Sequence, residues 1–292
     1  MTVMDAVPVL TGALRPRRWY HNRKILIAGG GLLFFAVLAI FGPLIAPYDP
    51  YTMNTGDRLL PPGAMLEDGS LSLLGTDSLG RSMLSRVVAG ARISLMVGLA
   101  SVGFAILLGV SCGLLAGLCG GYVDGILMRI ADIQLAFPSV LLAIFLSAFF
   151  EPSLTNVVIV LAITRWVSFA RVSRAIVLGT KRLEYVDSAR VIGAAPLRIL
   201  FTCHLPALIG PLLVPATAEM GLIIIAEASL SFLGLGPPPT TPSWGLTVAE
   251  GRQYLATAWW IAAVPGSALA LLVLSTGLLG DALREASDPK LA

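Results

Sequence analysis

The sequence is poor in charge, in cysteine and in histidine. Only 13% of its 292 residues are charged, whereas about a quarter of an ordinary soluble domain is. Its three cysteines and two histidines are too scattered to indicate a zinc site or a disulfide framework. We therefore expect no metal site, and we expect Cys112, Cys119 and Cys203 to be structural.

Two catalytic motifs are also missing from the chain. It has no GxxxxGK[ST] phosphate loop, so we expect it not to bind ATP in that way. It has no HExxH zinc motif either, and a membrane enzyme therefore has little support. We expect no catalytic residue and no bound cofactor on this chain.

In place of charge the chain has long apolar segments. Hydrophobic residues make up 56% of it, which predicts an all-α integral membrane protein with a core of packed spanning helices. Six segments of roughly 20 residues are long enough to cross a bilayer. They are Ile25–Ala46, Ile93–Leu118, Gly125–Phe149, Leu154–Val172, Ala207–Leu230 and Thr257–Leu279.

The basic residues are distributed unequally around these segments. Thirteen Lys and Arg lie in the two terminal tails and in the segment after the fourth span, whereas five lie in the loops on the other side. The positive-inside rule therefore places both termini and the segment 180–206 in the cytoplasm. Because this bias accounts for the net charge of +3, no nucleic-acid partner is needed.

The spans and loops divide the chain into parts. A short helix along the membrane surface is expected in the first outer loop, because Leu79, Met83 and Val87 recur at helical spacing. Tryptophans that suit the outer interface follow the fifth span, namely Trp244, Trp259 and Trp260. The predicted parts are a cytoplasmic tail at 1–24, a first transmembrane helix at 25–46, an extracytoplasmic loop at 47–92, a five-helix core at 93–280 and a cytoplasmic tail at 281–292.

One polar segment, Glu184–Pro206, lies between the fourth and fifth spans. Wound as a helix, its first part has an apolar face consisting of Tyr185, Ala189 and Ile192. The opposite face carries Glu184, Asp187 and Ser188. Gly193 can end this helix in the left-handed conformation, and Pro196 can open a second one. The segment is either an ordinary amphipathic loop or an element that docks on another protein.

Two further patterns lie inside the spans. A glycine occurs at every fourth position of the second span, at Gly109, Gly113, Gly117 and Gly121. Such a row lets helix backbones approach closely, within this bundle or against another subunit. Charged side chains within spans are Arg165, Glu219 and Glu227. Because intramembrane charges usually face water or the bundle interior, these three either line a pathway or form structural pairs.

The polar segment carries a motif with fixed spacing. Asp187-Ser188-Ala189 is followed after three residues by Gly193, and nine residues later by Cys203-His204-Leu205-Pro206. This resembles the coupling loop of binding-protein-dependent ABC importer permeases, although Asp187, Ser188 and Cys203 depart from that pattern. The segments LGTDSLGR, GARISL, ASLSFLGLG and PSWG are similar to those of the C-type subunit of the dipeptide/oligopeptide (peptide/nickel) permease family.

The resemblance implies a fold, a function and partners. The fold is the type I ABC importer permease, with six transmembrane helices and a cytoplasmic coupling helix, in a bacterial plasma membrane. The implied solutes are di- and oligopeptides, with nickel, glutathione or another small solute as alternatives. The implied partners are a homologous B-type permease, two cytoplasmic ATPases that carry ATP and Mg²⁺, an extracytoplasmic binding protein and membrane lipid.

The resemblance also implies which residues receive motion from the ATPases. These residues are Glu184, Tyr185, Asp187, Ser188, Ala189, Arg190, Ile192 and Gly193. From a different class, the alternative is a secondary transporter driven by protons through Glu219 and Glu227, in which the polar segment would have no such task.

Overall fold

The computed structural model describes residues 23–46 and 48–287, and these form an all-α membrane fold with one small hairpin. The α-helices of the described part are α1 Arg23–Ile45, α2 Met83–Cys119, α3 Gly121–Leu135, α4 Ser139–Ser147, α5 Leu154–Thr180, α6 Glu184–Val191, α7 Pro196–Ile199, α8 Leu205–Phe232, α9 Trp244–Gly251 and α10 Trp260–Ser287. A π-helical turn, Leu200–His204, joins α7 to α8.

Outside the helices, strands β1 (Ala64–Met65) and β2 (Leu71–Ser72) pair antiparallel in the loop between α1 and α2, which was predicted to be the first outer loop. The predicted tails fall partly outside the described residues, since 1–22 and 288–292 are not described. The boundary predicted at residue 281 falls inside a helix, because α10 continues to Ser287.

Five helical segments are long and apolar enough to cross a membrane: α1, α2, α5, the continuous α7–α8 unit and α10. The third predicted span, Gly125–Phe149, is not a single helix. It is divided between α3 and α4, whose axes meet at 91°, and a sixth span exists only if this bent pair is counted as one. The break falls at Ala136–Pro138, because proline has no N–H and disfavours helical geometry in the residue before it.

The separate surface helix predicted around Leu79 and Val87 is wrong. Helix α2 begins at Met83, where the hydroxyl of Ser82 accepts a hydrogen bond from the backbone N–H of Ser85, and it runs unbroken to Cys119. Val87 therefore belongs to the second turn of α2, and Leu79 precedes the helix. No proline interrupts this 37-residue stretch, so the helix continues past the predicted start of the second span.

Helices α2 and α5 pack along each other through three of the predicted glycines. A methyl group added at Gly109 would lie 2.4 Å from the carbonyl oxygen of Trp166, and one at Gly113 would lie 2.4 Å from that of Ala170. One added at Gly117 would lie 2.7 Å from the side chain of Val177. Gly121 is not part of this contact, because it begins α3 with a φ of +52° and has open space around it.

We call the end of the bundle at which α2 begins the outer end, after its predicted side of the membrane, and it is closed by α9 and the loop between α1 and α2. Trp244 and Trp260 are buried here, which corrects their predicted place at the membrane interface, while Trp259 is exposed. Their indole N–H groups explain the difference, because Trp244 donates to the carbonyl oxygen of Val87 at 2.9 Å and Trp260 to that of Thr76 at 3.0 Å. Both rings thereby fasten the outer segments to the bundle.

Candidate functional site

Residues 184–206, which lie between α5 and the first turn of α8, contain a helix pair with a tightly closed turn, and we call them the coupling segment. Helix α6 ends with Gly193 at a φ of +79°. The N–H of Ala194 donates to the carbonyl oxygen of Ala189 at 3.0 Å, and the N–H of Gly193 donates to that of Arg190 at 2.9 Å. These two bonds form a Schellman motif, which satisfies the last carbonyls of α6. Helix α7 then opens at Pro196.

The apolar side chains of the coupling segment are mostly left uncovered by this chain. Val186 is fully buried and attaches α6 to the rest of the protein. In contrast, Tyr185 is 49% exposed, Ile192 is 82% exposed and Leu197 is 68% exposed, while Ala189 is half-buried between them. The predicted stripe of Tyr185, Ala189 and Ile192 is therefore available to another surface.

The charged residues of α6 lie on the solvent side. Arg190 Nη1 donates to Asp187 Oδ1 at 2.9 Å within the helix, and both side chains are exposed. An exposed pair of this kind contributes at most about 1 kcal/mol, so it leaves both groups free to exchange partners. Glu184 and Ser188 are exposed on the same helix.

Two of the three charges predicted inside spans are brought together. Arg165 Nη1 on α5 lies 3.4 Å from Glu219 Oε2 on α8, and the hydroxyl of Ser168 donates to Glu219 Oε1 at 2.6 Å. Glu219 thus has structural partners. Glu227 lies about two turns after Glu219 on α8. It is fully buried and accepts a hydrogen bond from the Ser231 hydroxyl at 2.7 Å.

A buried ionic cluster at the outer end of the bundle was not anticipated from the sequence. We call it the Asp77 cluster, and it consists of Asp77, Arg81, Arg86, Thr247 and Glu250. Arg81 Nε and Arg86 Nη1 donate to Asp77 Oδ2 at 2.6 and 2.5 Å, and Arg86 Nη1 also lies 3.0 Å from Glu250 Oε2. Arg86 Nη2 donates to the Thr247 hydroxyl at 3.1 Å. The cluster joins the first outer loop, α2 and α9.

The charge state of Asp77 follows from these contacts. Burial alone would raise the pKa of its carboxyl group. The positive charges of Arg86 and Arg81, together with the backbone N–H groups of Arg81 and Leu79, outweigh burial and hold that pKa below its ordinary value. Asp77 is therefore ionised at neutral pH. The signal in the sequence was the LGTDSLGR segment, whose Asp and Arg are four residues apart.

One stretch of α2 has the letters of a serine-hydrolase motif but not its structure. Gly109-Val110-Ser111-Cys112-Gly113 reads as GxSxG, which in hydrolases forms a sharp turn between a strand and a helix. Here it lies in the middle of α2, and the Ser111 hydroxyl donates to the carbonyl oxygen of Leu107 at 2.7 Å. In the described part of the chain, no group of three His, Cys, Asp or Glu could hold a metal ion.

The described residues form a bundle of membrane-spanning helices with a helix pair between α5 and α8, and the class of this protein follows from comparison with known families. Residues 105–292 match the family described as the binding-protein-dependent transport system inner membrane component. Residues 15–62 match the family described as the N-terminal TM domain of oligopeptide transport permease C. The chain belongs to this family as a C-type permease subunit, a multi-pass protein of the bacterial inner membrane.

Several relatives are similar over nearly their whole length. The chain is 44% identical over 275 residues to the di/tripeptide transport system permease protein DppC of Pseudomonas aeruginosa, covering 93% of this chain and 89% of that relative. It is 42% identical to the dipeptide transport system permease protein DppC of Escherichia coli, covering 94% and 92%. It is 40% identical to the glutathione transport system permease protein GsiD of Pectobacterium atrosepticum, covering 94% and 90%.

A solved structure has the same fold. It is a chain of the MetNI methionine ABC transporter in an inward-facing conformation, with a TM-score of 0.54 at 19% sequence identity. The match covers 70% of this chain and 98% of that one. Together with the family match, this structural similarity confirms the predicted fold class.

Proposed function

We propose that this chain is one of two permease subunits of an ATP-driven importer, and that it translocates di- and oligopeptides. The observation that carries the proposal is the 44% identity to a di/tripeptide permease over 93% of this chain. Glutathione is a second candidate solute, because a relative named for it is 40% identical over a similar length. Glutathione is itself a tripeptide, so both candidates belong to one solute class.

The proposed partners follow from the membership in this family. A B-type permease would complete the pathway, a binding protein would deliver the solute from outside, and two cytoplasmic ATPases would bind ATP and Mg²⁺. This chain would act without a catalytic residue or a cofactor of its own. Both termini and the coupling segment would then lie in the cytoplasm, as the distribution of Lys and Arg indicates.

The coupling segment would receive motion from one ATPase. Its exposed stripe supports this, because Tyr185 and Ile192 are apolar side chains that this chain does not cover, and Ala189 between them is small enough for close approach. Glu184, Asp187 and Arg190 would pair with charges around the docking cleft. When ATP closes the two ATPases, α5 and α8 would tilt with the segment and open the pathway outward, as a switch between two packed states.

The proposal can be tested by reconstituting the complete transporter in liposomes and measuring ATP-dependent uptake of a radiolabelled dipeptide. Gly193→Leu should abolish uptake, because a leucine at a φ of +79° costs about 1–2 kcal/mol and would redirect α7. Asp187→Lys should abolish it by reversing a charge at the docking surface. Gly179→Leu is the matched control, since Gly179 has open space around it.

The outcomes separate the solute from the docking assignment. Normal uptake by Gly193→Leu, with stable insertion of the protein, would show that docking was wrongly assigned. Uptake of glutathione but not of dipeptides by the wild type would name the other solute. Uptake driven by a proton gradient, without ATPases, would contradict the proposal altogether.

A further inference from the structure

The end of α5 is fastened to the end of α2 by a lysine. Lys181 follows the last residue of α5, and its Nζ donates to the carbonyl oxygens of Gly117 and Leu118 at 2.9 and 2.8 Å. These carbonyls belong to the last turn of α2, where intrahelical partners are missing and the helix dipole is negative. A half-buried ammonium group is well suited to this position.

A second contact fastens the same end of α5 to the beginning of α8. The Thr180 hydroxyl lies 2.7 Å from His204 Nδ1, and both side chains are buried. His204 ends the π-helical turn that leads into α8. Because Thr180 lies just before the coupling segment and His204 lies near its end, this bond closes the segment at its base.

The helices behind these contacts cannot easily move apart. If Gly113 were an alanine, its methyl group would lie 2.4 Å from the carbonyl oxygen of Ala170. The backbones of α2 and α5 are therefore in direct contact here. Lys181 and the glycine contacts thus both join α2 to α5, at the end of α5 that leads into the coupling segment. Bending between the segment and the bundle would break the Thr180–His204 contact.

Helix α2 extends from this point to the other side of the protein. Its 37 residues measure about 55 Å along the helix axis. At its outer end Arg86 lies in the Asp77 cluster, which also includes Glu250 of the segment that follows α8. One continuous helix thus connects the Lys181 contact with the ionic cluster at the outer end.

We propose that Lys181 and the Thr180–His204 pair are positioning residues that make α2, α5 and the base of the coupling segment a single rigid unit. This inference rests on the proposed function. Motion received by the coupling segment is delivered along α2 to the Asp77 cluster, and the outer loop and α9 move with it. Without these contacts the segment still binds its partner, but its motion is lost at the base of α5.

The test uses the complete transporter reconstituted in liposomes, with radiolabelled alanyl-alanine as the probe. Lys181→Met removes both bonds to α2, and loss of a charge-assisted hydrogen bond shifts a two-state equilibrium by about tenfold. We therefore expect uptake to fall about tenfold while the ATPases co-purify with the permease as in the wild type. Lys181→Arg retains a cation that can reach the same carbonyls and should restore most of the uptake.

Two further variants separate positioning from general damage. Arg129→Met removes a cation from exposed α3, where Arg129 makes no hydrogen bond or ion pair within the described residues, and should leave uptake unchanged. Thr180→Val removes the hydroxyl at nearly constant shape, and Thr180→Ser keeps it. Uptake should fall in the first and persist in the second, with ATPase binding unaltered in both.

Each result decides between defined possibilities. If the wild type takes up the dipeptide and Lys181→Met takes it up equally well, the inference is overturned and the proposed function stands. Failure of the wild type to take up the dipeptide in the presence of ATP refutes the proposed function instead. If Lys181→Met does not assemble, Thr180→Val decides, and its normal uptake overturns the inference.

Discussion

Gly113 provides a quantitative test of the contact between α2 and α5. A methyl group added there would lie 2.4 Å from the carbonyl oxygen of Ala170 and 2.7 Å from the Cβ of Ser173, and neither atom belongs to a flexible side-chain end. A carbon and an oxygen are normally about 3.3 Å or more apart. The Gly113→Ala substitution must therefore separate the two helices locally by about 1 Å.

The size of the effect follows from that separation. A gap of about 0.5–1 Å forfeits roughly a quarter to a half of the dispersion energy of the atoms lining it, and overpacking of this kind costs about 1–3 kcal/mol. Alanine regains up to about 1 kcal/mol through its better helix propensity. We expect Gly113→Ala to lower the free energy of unfolding by up to about 2 kcal/mol, the difference between the overpacking cost and the full gain in helix propensity.

Gly103→Ala is the matched control on the same helix. Gly103 has no atom within 4 Å of an added methyl group, so only the gain in helix propensity applies there. Thermal unfolding of the purified permease in detergent, followed by tryptophan fluorescence, compares the two variants. A melting temperature for Gly113→Ala equal to or above that of Gly103→Ala would refute the close α2–α5 contact.

Further predictions concern the buried polar groups, and the same unfolding measurement checks each of them. Asp77→Asn should destabilise the protein by up to about 3–5 kcal/mol, because buried Arg86 loses one of its two carboxylate partners and keeps only the more exposed Glu250. Asp68→Asn at the exposed hairpin turn should have little effect. Because the pKa of Asp77 is lowered in the folded state, its stabilisation is complete above the unfolded pKa of about 3.9 and is lost as the pH falls through the lower folded value. The difference in melting temperature between wild type and Asp77→Asn should therefore be constant from about pH 7 to 5 and shrink below about pH 4; a difference that instead shrinks towards neutral pH would contradict the sign. Ser168→Ala should cost about 1–3 kcal/mol, because Glu219 loses its short hydrogen bond in a buried site, and an unchanged melting temperature would show that this bond is not formed.

Long apolar segments allowed several helices to be predicted closely. The fifth predicted span, Ala207–Leu230, corresponds to α8 at Leu205–Phe232, and the bounds differ by two residues at each end. The bend in the third predicted span was missed, because an apolar run does not show where the axis of a helix changes direction. Pro138 was visible in the sequence, but whether a proline bends a helix or ends it depends on the packing of the neighbouring helices.

The local geometry of the coupling segment was also predictable, because glycine and proline act within a single turn. Gly193 has the positive φ expected of a residue that ends a helix, and Pro196 opens the next one. Its docking role stays a prediction. Val186, which attaches α6 to the protein, was missed because one buried side chain in an eight-residue helix leaves no periodic signal.

Contacts between distant parts of the chain were beyond sequence reasoning. The Asp77 cluster joins Asp77 and Arg86 to Glu250, far away along the chain, and charge pairing does not reveal which partners meet. Trp244 was placed at the membrane interface because tryptophan is common there. Its burial depends on the carbonyl oxygen of Val87, which only the folded backbone brings within reach.

The elbow between α3 and α4 determines what can surround this part of the subunit. The backbone N–H groups of Ala136 and Phe137 donate to the last carbonyls of α3, those of Asp132, Ile133 and Gln134. The first N–H groups of α4 have no backbone acceptor in the preceding turn among the described residues, so they need partners from elsewhere. Hydrocarbon offers none. Although Phe137 at the elbow is apolar and exposed, the backbone around it must meet water, headgroups or another protein. Apolar side chains alone would assign this surface to lipid tails, and the unpaired backbone excludes that assignment.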